Sequence, residues 1–442
     1  MSPNDHLFIT RQYYAYNGLF NSTRALYIST YSLVLNQVLG LPLAWLPWVL
    51  VANLLFTMLT EIPTGAFADI AGRRRSFLYA ISLTGLGYLV YAGAIESYAP
   101  PVLMMVIVVV AELLLALGYT FYSGALEAWM VDLRADHDQI ALKAVFSRGQ
   151  LIKNLLYVAG GLVGIALFLF DLPWLSTFAV GASICMLLLL HGFRRMVSDK
   201  APVVMPSERS PTIGLSTYTG HVRRSLIKLR THPAITRLMV SAAVAFFVLQ
   251  FVVFFWPLYL VQLLATDATS DRIGESAVLL AASWVLAYGA RALGNAIPTL
   301  RILRKKHFMG ILISLSVSSI AMLILAALTQ LTGIVSIMTL GIVSTLLYGL
   351  VRFGEGVGDP LRQFLLNRLL DPRDRSTMLS LNSTLSMLVS AVGLTFCAFA
   401  LQQGATVPIL LSVSAIAQLA TLALYYRVLS SKVGHAHAPR GS

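Results

Sequence analysis

The sequence predicts an all-α integral membrane protein of twelve transmembrane helices, arranged as two pseudo-symmetric six-helix bundles. Three observations carry that prediction. Of the 442 residues, 57% are hydrophobic and only 12% charged, with a mean hydropathy of +0.76, whereas a soluble globular chain has about 25% charged residues. The apolar runs are continuous, as in Val102–Leu117. Barrel strands would instead alternate over about ten residues, and lipid admits only helices and closed barrels. Finally, the basic residues are sorted to one side of the spans. The same composition excludes a soluble enzyme, a disordered chain and, with two Cys, a disulfide scaffold.

At about 20 apolar residues per crossing, spans fall near 13–35, 43–65, 76–95, 101–130, 149–170, 174–193, 235–264, 276–300, 308–329, 334–358, 377–402 and 406–427. With both termini cytoplasmic, roughly 27 of the 32 Lys and Arg lie inside, as the positive-inside rule requires. Arg272 is the one outer cation, among Glu96, Asp171, Asp267, Asp271 and Glu275. The net charge of +13 is therefore topological, and no nucleic-acid partner is expected. The polar stretch Met1–Arg11 leads directly into the first span without a cleavable leader.

The first span places Asn17, Asn21, Arg24 and Tyr31 on one helical stripe, which must face protein or water. Arg24 lies roughly 16 Å from its inner end at 1.5 Å per residue. The second span runs into a loop ending in Arg73, Arg74 and Arg75. The fourth aligns Glu112, Tyr119, Ser123 and Glu127, with Glu112 roughly 16 Å from the outer end. A charge at such depth costs about 2.5–3.5 kcal/mol and marks a functional site by default. The fifth carries Lys153, placed to snorkel, and Gly160, Gly161 and Gly164.

After the sixth span, residues 194–234 form the longest polar segment, with Arg194, Arg195, Lys200, Arg209, Arg223, Arg224, Lys228 and Arg230 around Pro202, Pro206 and Pro211. It reads as a cytoplasmic basic linker lying on anionic head groups. The seventh span adds Gln250 and Phe254 on one face, with Trp256 before a helix-kinking Pro257. The eighth repeats a polar stripe in Trp284, Tyr288, Arg291 and Asn295, and the tenth aligns Tyr348, Arg352, Glu355 and Asp359. The chain thus divides into a bundle over 1–193, a linker over 194–234, a bundle over 235–430 and a tail or engineered scar over 431–442. The fourth and tenth spans echo each other, since Ser123-Gly124-Ala125-Leu126-Glu127 and Gly354-Glu355-Gly356-Val357-Gly358 each precede a charged loop. Such symmetry is expected where two bundles rock about a site held between them.

The run Gly65-Ala66-Phe67-Ala68-Asp69-Ile70-Ala71-Gly72-Arg73-Arg74-Arg75 resembles the signature of the major facilitator superfamily between helices two and three. The six-plus-six layout extends the resemblance over nearly the whole chain. Ile70 departs from it, standing where a basic residue is usual. The matching loop between helices eight and nine keeps Arg301, Arg304, Lys305 and Lys306 without the Asp. The fifth helix resembles that of the proton-coupled drug antiporters only in glycine content, so antiport is not secured by motif. In physical terms, Gly65 and Gly72 allow close approach and a tight turn, Asp69 suits a helix N-terminus, and the Arg run anchors to the inner leaflet.

The resemblance implies that Gly65, Asp69, Gly72, Arg73 and Arg74 lock the outward-open state. It also implies that helices one, four, seven and ten line a central cavity. Asn17, Asn21, Arg24, Tyr31, Glu112, Tyr119, Gln250, Phe254 and Tyr348 then lie on the substrate or proton path, with Arg291 from helix eight. Glu127, Arg352, Glu355 and Asp359, nearer the inner ends, suit ion pairing and gating.

The expected function is secondary active transport of a small organic solute by alternating access, with no enzyme activity. No Walker-type phosphate loop is present, so neither ATP nor another cofactor is expected. Desolvation favours the neutral form of a carboxylate, which makes Glu112 the preferred proton site. Apolar, aromatic-rich spans favour proton-coupled efflux of an amphipathic drug or metabolite. The alternative is an importer, symporter or facilitator of an organic anion bound by Arg24, with Arg291 or Arg352 assisting. An Arg24 that faces the cavity unpaired with Glu112 favours the anion. A non-transporting membrane sensor is a minor alternative. The expected partners are solute, protons and membrane lipids, for a monomer in a bacterial inner membrane.

Overall fold

The computed structural model describes residues 3–133, 139–169, 174–197, 233–264, 273–297, 307–370 and 375–429. The tail over 431–442 and most of the basic linker lie outside them, as do Lys305 and Lys306. The described residues are almost wholly helical, and their one bridge, Thr332 with Val335, is isolated. Two compact units emerge, Met1–Ser207 and Glu208–Ser442.

The first unit contains α1 (Pro3–Ile28), α2 (Tyr31–Leu33), α3 (Leu46–Ala71), α4 (Arg73–Glu96), α5 (Pro101–Tyr122), α6 (Ala125–Leu133), α7 (Gln139–Leu169) and α8 (Trp174–Arg195). The second contains α9 (Pro233–Leu264), α10 (Ile273–Ala296), α11 (His307–Leu328), α12 (Ile337–Leu369), α13 (Arg375–Gln402) and α14 (Val407–Leu429). Ten described helical segments are long and apolar enough to cross a membrane. The first and eighth predicted spans, here α1 and α10, are as long but carry the polar stripes that lower their hydropathy.

Several boundaries differ from the predicted ones. The first span begins ten residues earlier, at Pro3, and is not continuous. After Ile28 the chain tightens, with Thr30 N donating to Tyr27 O, then restarts as α2 and widens into a π-turn over Val34–Val38. The fourth span breaks at Ser123-Gly124, where Gly124 takes φ +74°, a conformation side chains resist. The residues of the signature run do not form a loop. They continue α3 through Ala71, and Gly72 at φ +99° makes the turn. By contrast, α9 runs through Pro257 over almost the span expected, whereas α12 runs through Pro360 to Leu369, well beyond the predicted end.

Close crossings fix the bundles. In the first unit α1 lies along α7, α4 packs between α5 and α8, and α3 packs on α5. A Cβ on Gly160 or Gly164 would strike the carbonyl oxygen of Ser22 or Leu26 on α1. These glycines therefore serve helix contact, as small residues do in membranes. In the second unit α12 packs on α10 and α11, and α9 on α13 and α14. Gly294 and Gly356 face each other's helix backbone in the same manner. Leu238, Ile311, Leu315, Val357, Leu361 and Tyr425 form part of that unit's core.

Candidate functional site

In the first unit the chemistry gathers around Glu112 on α5, which is only 2% exposed. Its Oε1 accepts from Tyr31 Oη at 2.6 Å and from Tyr91 Oη at 2.7 Å. Its Oε2 accepts from Asn53 Nδ2 at 2.6 Å. The two tyrosine hydroxyls lie 2.8 Å apart, and the Tyr91 ring stacks on Phe178 at 4.7 Å. The break after Ile28 sets Tyr31 at the start of α2, so the irregular stretch of the first span presents this hydroxyl. A buried carboxylate is thus satisfied entirely by neutral donors, which is how a charge persists in low dielectric without a counter-ion.

Arg24 does not complete an ion pair with Glu112. No carboxylate among the described residues lies in salt-bridge range of it. Its guanidinium is accessible, stands 4.7 Å from the centre of the Tyr119 ring, and has Tyr27, Tyr88 and Tyr157 around it. It borders a cavity of about 40 Å³ with Phe20, Tyr27, Asn53, Tyr88 and Tyr119. That space suits an ionic head group or a few waters rather than a whole solute. Asn53 belongs to both features, because it lines the cavity and bonds Glu112.

The predicted stripe on the first helix separates into three sites. Asn17 and Asn21 form a triad with Tyr122, whose Oη donates to Asn17 Oδ1 at 2.7 Å and accepts from Asn21 Nδ2 at 2.9 Å. Arg24 faces the cavity, and Tyr31 holds Glu112. Glu127, on α6 beyond the Gly124 break, lies near Lys153 and Tyr13.

In the second unit the charges pair with one another. Arg352, 2% exposed, is ion-paired with Glu355 one turn on, and its guanidinium lies 5.7 Å from the centre of the Tyr288 ring. Asp359 accepts from Arg291 at 3.1 Å and is also ion-paired with Arg362. Tyr348 stacks on Trp256 at 4.1 Å, and Trp256 Nε1 donates to Ser283 Oγ at 2.8 Å. Phe254 is buried edge-on to Phe255, and Gln250 is half-buried. A cavity of about 100 Å³ in this unit is lined by Ile297, Gly310, Ile313, Phe353 and Val357 among others, with no charged side chain.

Arginines of the signature run make contacts within the first unit. Arg74 donates to the carbonyls of Gly192 at 3.1 Å and Phe193 at 2.9 Å, joined by Gln12 on Arg195 O and Trp129 on Val197 O. Together these bonds tie the end of α8 and the residues just beyond it to α4, α1 and α6. Arg73 stands 3.9 Å from Asp132, and Arg75 is exposed. Gly65 sits within α3, and among the described residues nothing lies within 4 Å of where a Cβ would stand. The Asp69 side chain lies outside the described residues.

Sequence reasoning missed Asn53, Tyr91 and Arg362. Asn53 and Tyr91 stand among other neutral polar residues, Thr57, Thr60 and Thr64 on α3 and Thr84 and Tyr88 on α4, and carry no charge to single them out. Arg362 follows Asp359 by one turn, and only the premature end assigned to the tenth span hid it. The described residues hold no cluster of three or more metal-ligating side chains, and Cys185 and Cys397 are free and buried.

The sequence model of the Major Facilitator Superfamily matches residues 17–394. No curated protein matches the sequence. Among solved structures, the chain is similar to the nucleoside transporter NupG, with TM-score 0.69, 14% identity, and 96% of this chain and 99% of that one covered. It is similar to a D-xylose–proton symporter, with TM-score 0.71, 14% identity, and 96% and 98% covered. It is also similar to the POT family transporter PepTSo, with TM-score 0.71, 12% identity, and 98% and 99% covered.

Proposed function

The chain belongs to the major facilitator superfamily and is a membrane transporter of small molecules rather than an enzyme, and we propose that its solute is an organic anion carried by alternating access with a proton. Arg24 is the charge partner of the solute, and Glu112 is the proton site. The observation that carries this is the accessible Arg24, free of any described carboxylate and set in a cavity of aromatic rings. A guanidinium without a carboxylate partner is suited to a carboxylate, sulfonate or phosphate group. Of the rings around Arg24, Tyr119 is the exposed one, its centre 4.7 Å from the guanidinium, and it favours an aromatic or apolar group next to the anionic head. Glu112 supports the proton role because its partners are neutral. Adding a proton there strands no buried cation, which an ion-paired carboxylate would do.

The test is proton uptake or release by the purified chain on adding organic anions, lipophilic cations or neutral aromatics, compared among wild type, Glu112→Gln and Arg24→Ala. Anion binding with proton uptake is expected, with binding lost in Arg24→Ala and proton movement lost in Glu112→Gln. Proton release on binding a lipophilic cation, lost in Glu112→Gln, would overturn the anion assignment in favour of efflux.

A further inference from the structure

Asn53 stands between the two groups, half-buried, with its Nδ2 on Glu112 Oε2 and its side chain on the wall of the Arg24 cavity. An ionised carboxylate only accepts hydrogen bonds, so it requires the NH₂ edge of the amide. A protonated Oε2 becomes a donor and requires the Oδ1 edge instead. An amide carries both edges and can serve either state by turning over. Turning over exchanges what the amide offers elsewhere, an acceptor while Glu112 is ionised and a donor once it is protonated.

We infer that Asn53 is the positioning residue that couples the Glu112 proton to solute binding, by turning its amide so that an anion beside Arg24 meets a donor only when Glu112 is protonated. This deepens the reading of Arg24 and Glu112 given above and rests on it. Linkage makes the coupling reciprocal: a proton on Glu112 tightens the anion, and the anion tightens the proton. The two would then bind and move together, as in symport. Direct repulsion between an ionised Glu112 and a bound anion acts in the same direction, so the amide supplies only part of the coupling. The ionisable groups facing Glu112 are Arg24 and Tyr27 from α1, Tyr31 from α2 and Tyr91 from α4, while α3 brings Asn53. Arginine and tyrosine ordinarily hold their charge states across the physiological range, so the proposal assigns the exchanged proton to Glu112.

The experiment measures binding of benzenesulfonate, benzoate and indole-3-carboxylate to the full chain in lipid nanodiscs between about pH 5 and pH 8. Benzenesulfonate is ionised throughout and carries the comparison. In wild type, affinity is expected to rise roughly tenfold towards low pH, within the usual range of coupling, and benzenesulfonate is expected to draw protons from solution. In Asn53→Leu the rise is expected to shrink to about twofold, the direct electrostatic remainder. Asn53→Gln, which keeps an amide, should restore part of it. A wild-type pH profile in a folded Asn53→Leu overturns the role of Asn53 and leaves Glu112 as the proton site. A wild-type profile in Glu112→Gln overturns the proton site itself. Absence of binding by all three anions overturns the anion assignment. Should Asn53→Leu fail to fold, pH-independent binding without proton uptake in wild type overturns the coupling.

Discussion

The carboxylates of the two units solve one problem in opposite ways. Glu112 is held by two tyrosine hydroxyls and an amide, whereas Glu355 and Asp359 are held by Arg352, Arg291 and Arg362. Both arrangements offset the desolvation of a charge. They differ in what protonation does. A proton on Glu355 would leave a guanidinium buried and uncompensated, while a proton on Glu112 only rearranges neutral hydrogen bonds. Under the proposed function, the first unit changes its charge and the second keeps it. The cavities agree, since one is edged by Arg24 and the other is lined without charge.

The largest expected effect lies in the second unit. Arg352→Leu removes one partner of a buried pair and is expected to destabilise by about 3–5 kcal/mol, read as unfolding in detergent. Replacing Arg352 and Glu355 together by Leu should recover most of that loss. If the single and double replacements destabilise equally, the pair is not the closed ionic unit described here. A smaller effect is expected at Glu112. Glu112→Leu strands three donors and should cost about 2–3 kcal/mol, while Glu112→Gln, which still accepts, should cost about 1 kcal/mol. Equal losses for the two would show that charge rather than hydrogen bonding holds the site. The smallest effect on stability is expected for Arg24→Ala, within about 0.5 kcal/mol, accompanied by loss of anion binding. A large fall in its melting temperature would mean that Arg24 is structural, like its counterparts in the second unit.

Composition and run length alone determined that the chain is helical and membrane-embedded, because lipid leaves the backbone no other economical way to satisfy itself. Intramembrane charges announced themselves in the same way, since Arg24, Glu112, Arg291, Arg352, Glu355 and Asp359 stand out against apolar surroundings. Period also placed Arg352 with Glu355, because one turn of helix makes them neighbours. Partnership across helices was a different matter. Nothing in the sequence ties Asn53, Tyr91 and Tyr31 to Glu112, for they come from four separate helices and meet only when those pack. Nor could periodicity foresee that the first helix breaks at Ser29-Thr30 or that Arg74 ties α4 to the end of α8. Local pattern fixes which face a residue occupies. Only the close packing of helices, with glycines such as Gly164 and Gly356 setting how near they come, decides what that face meets.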